Sequence, residues 1–222
     1  MIKFIDLYNE ITGQAWSMFD GDVEAQDEFE TSVTTSIQKA LNALWCSYDF
    51  PFRERTHLIT TRANTNKYVA PIGNIIKKTS QGKKVFAVKC DYNKYLEYDP
   101  DIELLEPKTG KPEKFYIKND EVYLYPIPDN RYLVTIDYLA LYPACDSEGS
   151  EKATLVDDED YINIPERYEQ LFKSALLPKA MYYAIASETD ENYNGYKEQY
   201  EEAYKLLIKY SRGIDIDKTI GW

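Results

Sequence analysis

Residues 40–56, ALNALWCSYDFPFRERT, mark the point where the chain changes its period. Upstream, Phe29, Val33, Ile37, Leu41, Leu44, Trp45 and Tyr48 recur every three or four residues. That spacing keeps one apolar face of a long helix. Asp20 or Asp22 can cap its start, and Glu24, Asp27, Glu28 and Glu30 suit the positive end of the helix dipole. Pro51 closes the helix, because its ring disfavours helical geometry in the residue before it. Trp45 lies on the apolar stripe, so it belongs in a bundle core or at the junction with whatever follows.

Downstream, from Arg53 to about Pro143, the period becomes two. Thr56–Thr61, Tyr68–Ala70, Ile75–Thr79, Lys84–Val88, Phe115–Ile117, Val122–Tyr125 and Tyr132–Leu141 read as short strands. Turn signals separate several of them: Pro71/Gly73, Gln81-Gly82, Thr109-Gly110, Asn119-Asp120 and Pro128-Asp129-Asn130. FYIKNDEVYLYP reads as a hairpin turning at Asn119-Asp120. Leu133 to Tyr138 then alternates as a partner strand. Together these make a small antiparallel sheet or sandwich.

Working outward, Phe4, Leu7, Tyr8 and Ile11 predict a short first helix that Gly13 can end. Ser147 to Asp160 reads as a polar acidic loop. Tyr168, Leu171, Phe172, Ala175 and Leu176 begin a third helix running on through Met181, Tyr182 and Ile185, which Pro178 should kink or split. Tyr193, Tyr196, Tyr200, Ala203, Tyr204, Leu207 and Ile208 line a fourth, ended by Gly213. The expected fold is α+β: a four-helix bundle core (1–52 and 146–213) with a β-rich antiparallel insertion (53–145) between helices two and three. Residues 214–222 form a C-terminal tail.

Composition bounds the function. The 222 residues are 44% hydrophobic and 29% charged, as in globular proteins rather than disordered ones. Twenty-six Lys+Arg against 38 Asp+Glu leave a net charge of −12. That argues against an electrostatic grip on phosphates, so binding of duplex DNA is not expected. No apolar run approaches the ~20 residues of a membrane span. MIKFIDLYNE has acids where a signal peptide keeps its apolar stretch, so secretion by that route is not expected.

Cysteines at 46, 90 and 145 are odd in number and widely spaced, suggesting neither disulfides nor a zinc site. His57 is the sole histidine, so mechanisms and metal sites needing two imidazoles are excluded. The nine glycines have no phosphate-loop spacing. Asp157-Asp158-Glu159-Asp160 lacks the glycine-kinked alternation of an EF-hand loop and reads as a solvated loop. No catalytic residue, cofactor or metal is expected. The 21 tyrosines fit either extensive half-buried interfaces or the codon usage of an AT-rich genome. Ile214, Ile216, Ile220 and Trp222 stand at the chain end, where order is usually lost. They either pack on their own helices or dock on a neighbouring chain, with Trp222 as anchor.

The stretch 40–56 also resembles the head–tail connector (adaptor) proteins of tailed, mainly short-tailed, bacteriophages. There a helix ends in Leu-Trp and an aromatic–Asp–aromatic–Pro step leads into a strand; here these are Leu44, Trp45, Tyr48, Asp49, Phe50 and Pro51. KFYIKNDEVYLYPIPDNRYLVTIDYLALYP resembles the family's hairpin, Pro-x-Pro turn and following strand. IPERYEQLFKSALLPKAMYY resembles its third helix, and YKEQYEEAYKLLIKY its closing helix. The resemblance covers about Phe29 to Tyr210, leaving the Lys94–Lys108 stretch and the tail unmatched. The AT-rich type of composition suits a phage of gut bacteria, the crAss-like group included.

The resemblance implies a structural virion protein, not an enzyme. Such adaptors form a ring, commonly dodecameric, on the portal at the capsid vertex. The ring continues the DNA channel, lets DNA pass without specific binding, and gives later tail proteins a platform. Assembly takes place in the host cytoplasm. In some members the C-terminal segment reaches the portal, which makes Ile214, Ile216, Ile220 and Trp222 the candidate portal or subunit interface. Two other classes compete: an acidic DNA mimic or protein inhibitor, favoured by the net charge, and a hydrolase using an acid pair.

Overall fold

The computed structural model describes residues 1–16, 23–80, 83–91, 94–185 and 191–212. The fold is mixed α+β, with four α-helices and many mainly antiparallel strands among these residues. The chain divides into two compact units, one of residues 1–52 and 142–222, the other of residues 53–141.

The first unit contains the helices: α1 (Phe4–Trp16), α2 (Val23–Cys46), α3 (Glu166–Ala184) and α4 (Glu191–Ser211). The apolar stripe of α2 is buried from Phe29 through Val33, Ile37, Leu41 and Leu44 to Trp45. Tyr48 lies beyond the helix end and is half-buried. α3 packs against each of the other three helices, which explains why its buried positions are not confined to one stripe. Burial on several sides also accounts for Pro178. The helix runs unbroken through it rather than splitting there, and Pro178 itself is buried in the packing. α1 likewise continues past Gly13, which is exposed with no atom near its missing Cβ.

Aromatic rings close the lower part of this core. Phe52 stacks on Phe50 at 4.8 Å and meets Trp45, Tyr168 and Phe172 at 5.7, 5.1 and 5.7 Å. The aromatic–Asp–aromatic–Pro step is therefore a core plug. Phe50 of the step stacks on Phe52 just beyond it, and Phe52 packs on Trp45 of α2 and on Tyr168 and Phe172 of α3.

The helical unit also carries a four-stranded antiparallel sheet that the helical pattern hides. Its strands, in order, are Ile2–Lys3, Tyr161–Ile162, Ala144–Cys145 and Glu151–Lys152. The supposed acidic loop is thus partly strand.

The second unit holds two main sheets. One orders Lys67–Val69, Glu121–Tyr125, Lys114–Lys118 and Glu97–Tyr98, the last pair being parallel. The other orders Glu54–Thr60, Leu133–Ala140, Val88–Cys90 and Lys94–Tyr95, with Gly73–Ile75 also on the long strand. Ile59, Val88, Val134 and Ile136 from one sheet share a core with Phe115, Val122 and Leu124 from the other. The expected hairpin forms between Lys114–Lys118 and Glu121–Tyr125, and Asn119 and Asp120 at its turn both have positive φ, 51° and 61°. Such φ values match the twist of the strands and favour Asn and Asp. Leu133–Ala140 is not the hairpin's partner, however; it is the spine of the other sheet. Lys77–Ser80 and Lys83–Phe86 make a separate two-stranded ribbon.

Candidate assembly surfaces

The residues that carry the sequence's site expectation, Ile214, Ile216, Ile220 and Trp222, lie outside the described residues. The surfaces that the structure does describe differ in charge. The helical unit carries 26 Asp and Glu against 11 Lys and Arg, net −15, while the β unit carries 12 against 15, net +3. Within the β unit the excess is local. Arg55 to Cys90 holds eight Lys and Arg and not one Asp or Glu. The whole-chain net charge of −12 hides this segment of opposite sign.

Ion pairing sharpens the contrast. Past Cys90, Lys94, Lys111, Lys114 and Lys118 hold Glu113, Asp91, Asp99 and Glu103 at 2.8, 2.6, 2.8 and 3.0 Å. The pKa values of Lys111, Lys114 and Lys118 are pushed up, chiefly by the hydrogen bonds to these carboxylates. Before Cys90 in this unit, Lys78 is held by Asp137 at 2.7 Å. Lys67, Lys77 and Lys89 instead lie over the rings of Tyr123, Phe86 and Tyr95 at 4.8, 4.8 and 4.9 Å. Such contacts hold a cation in place without neutralising it.

Asp160 in the acidic run is 1% exposed. Its carboxylate accepts hydrogen bonds from Lys152 Nζ (2.7 Å) and from the backbone N–H groups of Val156 (2.7 Å) and Asp157 (3.0 Å). Burial pushes its pKa up, but Lys152 and the two N–H groups outweigh that and hold it below the usual carboxylate range. Its carbonyl also accepts from Phe4 N–H at the start of α1. The run therefore splits by role: Asp160 organises the segment, while Asp157, Asp158 and Glu159 remain exposed. Sequence reading missed this because four consecutive acids look uniformly solvated.

A group of tyrosines lies where α3 meets α4. Lys179 Nζ lies 4.2 Å from the Tyr200 ring centre, 5.0 Å from Tyr183 and 5.2 Å from Tyr182. Tyr193 donates to the Tyr182 hydroxyl at 2.5 Å. Burial, with Tyr204, Tyr183 and Glu201 nearby, pushes the Tyr200 hydroxyl up to about 12. These rings fasten two helices together. On the outer side of α4, Glu198, Glu201, Glu202, Leu206 and Tyr210 are exposed.

Two open grooves of the β unit contain carboxylates. One has Glu103, paired with Lys118. The other has Glu54 and Asp137. Burial raises the Asp137 pKa, but Lys78 and the Thr56 hydroxyl, donating at 2.7 and 2.9 Å, leave it lowered. At neutral pH it is an anion in a structural network rather than a proton donor. No group of three or more His, Cys, Asp or Glu that could hold a metal occurs among the described residues. Cys90 and Cys145 are buried, Cys46 is exposed, and no disulfide joins them. No described helix is long and apolar enough to cross a membrane.

No curated protein matches the chain. A family model described as SU10 adaptor protein matches residues 8–216, nearly its whole length. The match runs through the α2 stripe, the Phe50–Phe52 plug, the β unit and the tyrosine-bearing α3 and α4. The chain belongs to the SU10 adaptor protein family, and is thus a phage adaptor, a structural protein.

Proposed function

We propose that this chain forms a ring of identical subunits at the portal vertex of a virion, docked on the portal protein. The ring extends the DNA channel for ejection and is the platform on which further ring or tail proteins assemble. The family match over residues 8–216 carries this reading. The helical unit's net −15 supports it, since like-charged walls repel DNA and let it pass without adhesion. In its common form such a ring has twelve subunits.

The tail, residues 214–222, docks on the portal or on an adjacent subunit through Ile214, Ile216, Ile220 and Trp222. Burying one large side chain stabilises by roughly 1.5–3 kcal/mol, so several together offset the ordering of a short segment. The test is a reconstruction of the portal vertex from virions, together with portal pull-down by full-length protein and by a chain truncated after Gly213. A vertex ring of this chain and weaker portal capture by the truncated form are expected. Density for this chain elsewhere in the virion, or none, overturns the ring. Undiminished capture overturns the tail's role.

A further inference from the structure

Several cations of the basic segment have no carboxylate partner within the β unit. Among the described residues, Arg62, Lys67, Lys77, Lys84 and Lys89 have no carboxylate within ion-pair reach, whereas Lys94, Lys111, Lys114 and Lys118 after Cys90 each have one. Lys77 and Lys84 of this set both stand on the ribbon Lys77–Ser80/Lys83–Phe86. Its register pairs Lys77 with Phe86 and Thr79 with Lys84. Directly paired residues share a face, and so do residues two apart, so Lys77 and Lys84 lie on one side of the ribbon. The ribbon's base is fixed to the long strand: Ile76 N–H donates to Asp137 O at 2.9 Å, and Asp137 N–H to Ala87 O at 2.9 Å. It is an anchored arm bearing unneutralised cations.

The complementary surface is on the same polypeptide. Glu198, Glu201 and Glu202 stand at i, i+3 and i+4 on α4, which places them on one helix face. All three are exposed, and none has a cation within ion-pair reach among the described residues. Leu206, 45% exposed, extends this face by one turn. Different patches meeting head to tail are what closes a ring of identical subunits.

We propose that the basic ribbon of one copy docks on the Glu198–Glu201–Glu202 face of α4 in a second copy, forming the head-to-tail contact of the ring. The contact rests on the ring reading above. Charge complementarity between a +3 unit and a −15 unit selects the second copy over DNA as the occupant. Charges of this kind fix register and speed encounter.

The experiment compares self-association of the full chain by sedimentation at low and high salt, for wild type, Lys77→Glu/Lys84→Glu and Glu201→Lys/Glu202→Lys. Circular dichroism and melting of both variants should match wild type, because the altered groups are exposed. Wild-type association should fall with salt, and each variant alone should associate about 10-fold or more weakly. A one-to-one mixture of the two variants should recover association, because each reversed patch then meets its opposite. Variants that associate like wild type overturn this contact while the ring stands. Loss in both without recovery in the mixture overturns the pairing of these two patches. A wild-type chain that stays monomeric at every concentration, with and without portal, overturns the ring reading and this contact with it. Retardation of linear duplex by wild type that Lys77→Glu/Lys84→Glu abolishes, with association unchanged, assigns the ribbon to nucleic acid and overturns the proposal.

Discussion

In the helical unit, Trp45, Phe50, Phe52, Tyr168 and Phe172 form one network of stacked and edge-on rings, and Asp160 ties strand and loop through its inward-facing carboxylate and the start of α1 through its backbone carbonyl. In the β unit the core is mostly Val, Ile and Leu around Phe115, and the backbone carries more of the structure: a long strand with three partners, a turn with two positive φ angles, and a glycine pressed against its neighbour. The difference teaches where each unit is vulnerable. The first depends on a few large side chains, the second on close approach of main chains, and their surfaces carry opposite net charge.

The largest expected effect tests the first half of that contrast. Trp45 is fully buried against Phe52 and Phe172. Trp45→Ala should cost about 3–5 kcal/mol, the usual loss for a large buried ring. Denaturant unfolding followed by circular dichroism checks it, and an unchanged midpoint would show that the network is not what holds the helices.

Asp160→Asn comes next, at about 2 kcal/mol, because it removes the charge from bonds to Lys152 and two N–H groups. The pH sign follows from the lowered pKa. The contribution is fully present above the unfolded-state value of about 3.9 and is lost as pH falls through the folded value. A melting-temperature profile from pH 7 to pH 2 should therefore converge for wild type and variant at the acid end. A constant gap across that range would refute the ionic role.

Gly73→Ala probes the β unit, and about 1–3 kcal/mol of destabilisation is expected. A Cβ there would sit 2.2 Å from Leu139 O and 2.7 Å from Tyr138 Cδ2, so the strand pair must open. Retained stability would mean that the sheet yields more easily than its register suggests. Gly13→Ala is the smallest and has the opposite sign. This glycine is helical, exposed and free of neighbours, so alanine should stabilise by about 0.5–1 kcal/mol. Thermal melts of both glycine variants, run side by side, separate a glycine required by packing from one that is not.

These sites also show what the sequence could reveal. The α2 stripe and the Asn119-Asp120 turn were legible because each signal is local, a 3.6-residue period in one and residues that tolerate positive φ in the other. The pairing of Leu133–Ala140 with Glu54–Thr60 was not, since strand partners more than 70 residues apart leave no local trace. Pro178 does not split α3, because the packing of that helix against three others, with Pro178 itself buried, offsets the hydrogen bond that its ring removes. Asp160 was hidden among look-alike neighbours, and only geometry shows which acid turns inward. The basic segment 55–90 was in plain sight but was averaged away in the net charge. The tail residues expected to dock fall outside what the structure describes.

Arg53 Nε donates to Ala140 O at 3.2 Å, and the strands beginning at Glu54 and ending at Ala140 pair along their length. The β unit therefore begins and ends at adjacent points, so its 89 residues impose on the helical unit the constraint of a short linker. An unstructured loop of that length would carry a closure entropy growing as the logarithm of its residues, and folding of the insert removes most of it. The two units are thus separable in evolution. The insert can lengthen, shrink or exchange its ribbon to meet a new neighbour while α2 and α3 keep the same packing.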